Sequence, residues 1–276
     1  MCIDASGSMQ NTIDAVRNNA TNFEVDLNAA IQQRGLTEFD LIRVRPIFYR
    51  DFGGNNPIGP GGIMNPYNVN WGGNVDKYPN GVQWRPAGDA KNYGDDVPLK
   101  AANFYELPAE ASNFNSFVNT ENASGGGDLP ESGLECINEA IDSAWLQVGD
   151  PMPGAPGQTV RQAYPAIVLW TDAEVQAPGF SFNLLNPSYP SAAYMPRDYG
   201  GLLAKWNDAS RIDQERKLLA VFMPSGLFAP NWNPIKQWPN FMNAGTLSSG
   251  NSQMIAKIAD AIATIKQASP GVALVY

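Results

Sequence analysis

Two segments constrain this chain most: Ala166–Thr171 (A-I-V-L-W-T) and Leu218–Met223 (L-L-A-V-F-M), each a continuous or nearly continuous apolar run. A strand with one wet face alternates apolar and polar residues. A run apolar on both faces fits a strand covered on both sides, the usual state of a parallel sheet between layers of helices. Helical spacing surrounds these runs. Apolar residues recur three and four apart at Met9, Ile13, Val16, Ala20, Phe23, Leu27 and Ile31, and Gly35 stops that pattern. The same spacing returns at Leu134, Ile137, Ile141 and Trp145, and again at Ile255, Ile258, Ile262 and Ile265. Strands alternating with amphipathic helices predict an α/β fold: a central, mostly parallel sheet flanked by helices.

Other strands are fainter. Met1–Asp4 reads as the end of a buried strand, and Leu41–Phe52 is rich in β-formers, although Pro46 argues against a fully central place for it. Ala102–Leu107 reads as a short strand, and Phe114–Val118 as the start of a small helix. In open α/β sheets the functional loops gather at the carboxyl ends of the strands. Asp4, Asp51 and Asp172 stand at or just past such ends, so parallel strands would bring all three to one edge.

The 276 residues read as one domain, 1–276, with an insertion at 53–98 rich in Gly, Asn, Pro and aromatic residues, and a tail at 269–276. A structureless loop as long as the insertion is uncommon unless it has a function. Only three residues precede Asp4, where a central strand normally has about five or six. The sequence therefore suggests a natural chain that begins further upstream.

The net charge of −9 sets the chain against phosphate backbones, so no nucleic-acid partner is expected. Histidine is absent, which removes the commonest general base, the usual zinc ligand and any Ser-His or Cys-His pair. Cys2 and Cys136 are read as reduced, buried thiols. No stretch is apolar enough to span a membrane, and no signal peptide is visible. The expected location is cytoplasmic, with an extracellular one left open by an upstream extension.

After the first strand stands D-A-S-G-S, with Asp4, Ser6 and Ser8 at alternate positions. A carboxylate and two hydroxyls on one turn are hard oxygen ligands suited to Mg²⁺. Taken alone, the pattern is equally a helix N-cap, in which Ser6 or Ser8 satisfies orphan amides.

Two further loops change the weighting. C-I-D-A-S-G-S-M resembles the metal-ion-dependent adhesion site (MIDAS) signature of von Willebrand factor A (vWA) domains. G-G-G-D-L-P-E (125–131) resembles their second metal loop, and W-T-D-A (170–173) resembles their third. Y-R-D-F (49–52) and W-N-P-I-K-Q-W (232–238) are similar to bacterial vWA proteins of the tellurite-resistance-associated TerY type.

The resemblance implies a Rossmann-like vWA fold and a site in which Asp4, Ser6 and Ser8 are first-loop ligands and Asp172 acts in the third loop, often through water. It implies Asp128 as the second-loop ligand, with Glu131 as the alternative. The implied cofactor is Mg²⁺, with Mn²⁺ or Ca²⁺ as alternatives. The implied function is binding of a protein partner through that partner's acidic residue, without catalysis, in a kinase- and phosphatase-linked signalling system. A secreted or surface adhesion protein is the alternative. A Mg²⁺-dependent phosphoesterase is a third reading, weighed against by the lack of an evident nucleophile or base.

Asp51, Trp71, Trp84 and Trp232 are candidates for a partner-binding rim. Asp51 could equally pair with Arg50, and the tryptophans could simply pin long loops by burying aromatic area.

Overall fold

The computed structural model describes residues 1–20, 22–50, 74–78, 81–85, 99–124, 131–175, 177–178, 195–223, 230–245 and 251–268. An eight-stranded sheet runs through the middle of the molecule. Its strands are β1 (Cys2–Asp4), β3 (Ile47–Tyr49), β4 (Asn74–Tyr78), β5 (Gly81–Arg85), β6 (Leu99–Ala102), β8 (Ala166–Trp170), β9 (Leu218–Phe222) and β10 (Phe241–Gly245), in the order β10-β9-β8-β1-β3-β6-β5-β4. Pairing is parallel from β10 through β3 and antiparallel from β3 to β4. The Rossmann-like α/β expectation is met, with an antiparallel extension on one side.

Alternation along the strands divides the core in two. On one face Ile3, Phe48, Val168 and Phe222 pack against α1 (Gln10–Ala20), α2 (Phe23–Gln32), α3 (Ala111–Asn119) and α6 (Asn251–Ala268), through Ile13, Leu27, Phe114 and Ile258. On the other, Cys2, Tyr49, Leu169 and Val221 meet α4 (Gly133–Ile141) and α5 (Tyr199–Trp206), through Ile137, Leu202 and Trp206. Cys2 and Cys136 are both free and buried, as expected.

Three sequence readings are refined. The single helix expected from Met9 to Ile31 is two helices, broken at Asn22, whose backbone leaves the helical region at φ −109° and ψ 4°. The sequence N-N-A-T-N over 18–22 is rich in Asn and Thr, residue types that compete with the helix for backbone hydrogen bonds.

The strand expected at 41–52 is also two. Pro46 has no N–H to offer a ladder, and the chain steps from β2 (Ile42–Val44), paired antiparallel with β7 (Tyr105–Leu107), into β3. β3 is nevertheless central, between β1 and β6, because the proline lies just before it. The insertion, finally, is not wholly loop. β4 and β5 form a hairpin that continues the sheet beyond β6.

Helix α4 lies close on the sheet because its first residue is glycine. A Cβ on Gly133 would stand 2.7 Å from Val175 Cγ1 and 3.3 Å from the Tyr49 hydroxyl, both on fully buried residues. Gly133→Ala is therefore expected to lower stability by about 1–3 kcal/mol despite alanine's better helix propensity. Thermal melting checks this; an unchanged or raised Tm would contradict the close approach.

Candidate metal centre

The parallel strands deliver their carboxyl ends to one edge, which brings the Asp4 and Asp172 positions to it as expected; Asp51 lies outside the described residues. Asp4 pairs in register with Tyr49, so Arg50 follows directly beside the D-A-S-G-S turn. The β8 end supplies Thr171, Asp172 and Ala173 on the other side of β1. The ends of the second loop are tied to both. Ser124 N donates to Ala5 O at 3.0 Å, and Glu131 N donates to Glu174 O at 2.8 Å. Residues 125–130 between these stems, Asp128 among them, lie outside the described residues.

Asp4 is the centre of the site and is fully buried. Its Oδ1 accepts from the Ser6 amide at 2.9 Å, and its Oδ2 accepts from Thr171 Oγ1 at 2.9 Å. Thr171 is held in turn by Ala173 N, which donates to Oγ1 at 3.0 Å. Desolvation pushes the Asp4 carboxyl up to about 6; the Ser6 amide and hydroxyl and the Thr171 hydroxyl pull it down, and the charge on Asp172 adds to the rise. Among the described residues no Lys or Arg pairs with Asp4. The site is thus a desolvated carboxylate beside a second one, surrounded by neutral oxygens.

Ser6 occupies the N-cap position of the 3₁₀ turn Gly7–Met9, yet its side chain makes no capping hydrogen bond. The simple capping reading of Ser6 is therefore not what the turn uses. Ser6 is buried, whereas Ser8 is exposed on the same turn. Asp172 is partly exposed at the rim of the site. Glu131 is buried at the site's wall, and its charge, with that of Asp4, reaches the Tyr49 phenol. That phenol is pushed well above its usual value, first by burial and then by Asp4, so it stays a neutral hydroxyl and donates to Trp170 O at 3.4 Å.

Among the described residues no three carboxylate or thiol groups converge tightly enough to hold a metal by themselves. The described oxygen groups at or near the site are the carboxylates of Asp4, Asp172 and Glu131 with the hydroxyls of Ser6, Ser8 and Thr171. That set fits a small, hard cation that keeps several waters and does not fit zinc or a soft metal.

The rim candidates divide. Trp232 is fully buried against the sheet face of Leu169 and Val221, so it pins its loop and presents no surface to a partner. Asp51 and Trp71 lie outside the described residues. Trp84 is placed only as a position in β5, paired with Leu99; its side chain is outside them too.

Thr171, Tyr49 and Arg50 are the participants the sequence reading missed. Thr171 had a signal, since a hydroxyl directly before the third-loop aspartate sits where a strand end faces β1. Replacing it by valine removes both the donor to Asp4 and the acceptor for Ala173 N. Thr171→Val is expected to cost about 1–3 kcal/mol at neutral pH. Chemical denaturation checks this, and a parent-like midpoint would remove Thr171 from the site.

No protein-family model matches the chain, and no curated protein matches it. Among the described residues no helix is long and apolar enough to cross a membrane.

Proposed function

We infer that this chain is a vWA-type interaction module that holds one divalent cation, Mg²⁺ by preference, at the carboxyl edge of its sheet. The observation that carries this reading is Asp4: a fully buried carboxylate, next to a second carboxylate, bonded by hydroxyl and amide groups and, among the described residues, without a basic side chain paired to it. An uncompensated buried charge is costly, and a bound cation removes that cost.

Asp4 and Ser6 would hold the ion, with Ser8 and Asp172 reaching it directly or through water and an acidic residue of the second loop, Asp128 or Glu131, completing the set. When bound, the ion supplies an electrophilic position for a carboxylate. The partner is accordingly a protein presenting an Asp or Glu. The chain's own contribution is to orient the hydroxyls and to exclude bulk water from Asp4. The loops that leave the ends of β3, β8 and β9 start around this position and would choose among partners. The TerY-like resemblance supports a signalling assembly as its setting, and among the described residues of the site no nucleophile or general base for turnover is evident.

The test is thermal melting in EDTA and in millimolar Mg²⁺ or Mn²⁺. The cation should raise the Tm of the parent and leave that of Asp4→Ala unchanged, since an ion that binds only the folded state stabilises it by mass action. Equal melting of the parent in EDTA and Mg²⁺ contradicts the reading.

A further inference from the structure

Arg50 is completely buried, although it stands at the edge of the sheet where the chain leaves β3. Its side chain reaches one stem of the second loop. Nε donates to Ser124 O at 2.7 Å, and Nη2 donates to Asn122 O at 2.8 Å, to Ser124 Oγ at 3.2 Å and to the Glu121 carboxylate. Its backbone reaches the other stem, because Arg50 O accepts from Ser132 N at 3.3 Å. A single residue therefore grips both ends of the segment 125–130.

The grip bears directly on the ion site. Ser124 is the residue whose amide is tied to Ala5 O, beside Asp4, and Ser132 follows Glu131, whose amide is tied to Glu174 O. Glu121 is also held from β6: Lys100 Nζ donates to its other carboxylate oxygen at 3.1 Å and to Thr120 Oγ1 at 2.7 Å. Arg50 and Lys100 flank the insertion on either side, so Glu121 joins both of its roots to the stem of the second loop. An isolated buried ion pair seldom adds much stability over an apolar pair of similar size. A fork of five donors in fixed geometry instead suits the fixing of backbone carbonyls.

We propose that Arg50 is the positioning residue of the cation site: through its carbonyl and its guanidinium it sets the two stems of the second loop against the Asp4 turn and the Thr171–Val175 segment, and so sets the site's affinity for its ion. This rests on the cation-binding reading above. Groups that orient a metal's ligands commonly contribute ten- to a hundredfold to affinity.

The experiment uses the full chain, with Mn²⁺ as the probe. Mn²⁺ affinity is measured by titration for the parent, for Arg50→Lys, and for the apolar double variant Arg50→Met with Glu121→Leu, which removes both members of the fully buried pair and leaves Lys100 its Thr120 hydroxyl. Amide hydrogen exchange at Ser124, Glu131 and Ser132 is followed in EDTA, against core amides such as Leu169 and Val221. Both variants should bind Mn²⁺ about tenfold or more weakly. Ser124 and Ser132 should exchange faster while the core amides keep their protection.

Parent-like Mn²⁺ affinity in either folded variant overturns the proposal. So does unchanged exchange at Ser124 and Ser132, which needs no metal. If the double variant does not fold, Arg50→Lys alone decides, because lysine keeps the charge but cannot span the three carbonyl and carboxylate acceptors. A parent that binds no Mn²⁺ contradicts the cation reading itself and takes this proposal with it, and the exchange data then show whether Arg50 still orders the stems.

Discussion

Asp4→Asn is expected to make the cation-free protein more stable at neutral pH, not less. In the folded chain the Asp4 carboxyl lies at about 6, against 3.8 for the free group, mainly because burial disfavours its charge. Above pH 6 the fold therefore carries a desolvated carboxylate at a cost of about 3 kcal/mol. The amide has nearly the same shape and no charge, and its oxygen can still accept from Ser6.

The sign follows from proton uptake. Between about 6 and 3.8 the folded state holds more of the Asp4 proton than the unfolded state does, so the parent gains stability as pH falls through that window. The advantage of Asp4→Asn should accordingly be full at pH 7.5, shrink below pH 6 and vanish near pH 4. Urea unfolding in EDTA at pH 7.5 and pH 4 measures it. With saturating Mg²⁺ the order reverses, since only the parent gains the binding free energy, about 2.7 kcal/mol at a hundred times Kd. A variant less stable than the parent in EDTA at pH 7.5 would mean that Asp4 is already well compensated, and would remove the reason for a cation there.

Leu169→Asp is expected to abolish folding. Leu169 is the penultimate residue of β8, paired with Cys2 on one side and Val221 on the other. Its fully buried side chain belongs to the cluster that includes Ile137, Trp206 and Trp232. A carboxylate there has no partner and would cost several kcal/mol beyond the lost leucine packing. A domain of this kind holds only about 5–15 kcal/mol of net stability. Far-ultraviolet circular dichroism and gel filtration report the outcome, and a variant with parent-like spectrum and melting would contradict the placement of β8 in the centre of the sheet.

β8 and β9 could be found in the sequence because apolar residues on both faces leave a pattern that depends only on local order. The helix faces were legible for the same reason: Ile13, Val16, Leu27, Ile137 and Ile258 are buried where their spacing put them. The insertion's hairpin was not. N-V-D-K-Y and G-V-Q-W-R are short, half polar and set among Gly, Asn and Pro, and what makes them strands is backbone pairing with each other and, for the second, with β6.

The site divides in the same way. Asp4 and Ser6 are two residues apart, so their meeting at 2.9 Å follows from a tight turn. Thr171 meets Asp4 across 167 positions, and Arg50 meets Glu121 and Ser124 across 71 and 74. Contacts of that range are set by strand order, which residue spacing does not encode. Trp232 shows what residue type alone leaves open: a large aromatic in a long loop fits a rim anchor or a buried pin, and burial of its area against the sheet decides for the pin.

The central claim is that the site around Asp4 holds one divalent ion. Titration with Mn²⁺, following the loss of the free-ion electron paramagnetic resonance signal, tests it most directly. The account predicts one Mn²⁺ bound per chain in the parent, displaced by excess Mg²⁺, and none in Asp4→Asn. No binding by the parent, or equal binding by parent and variant, would contradict it.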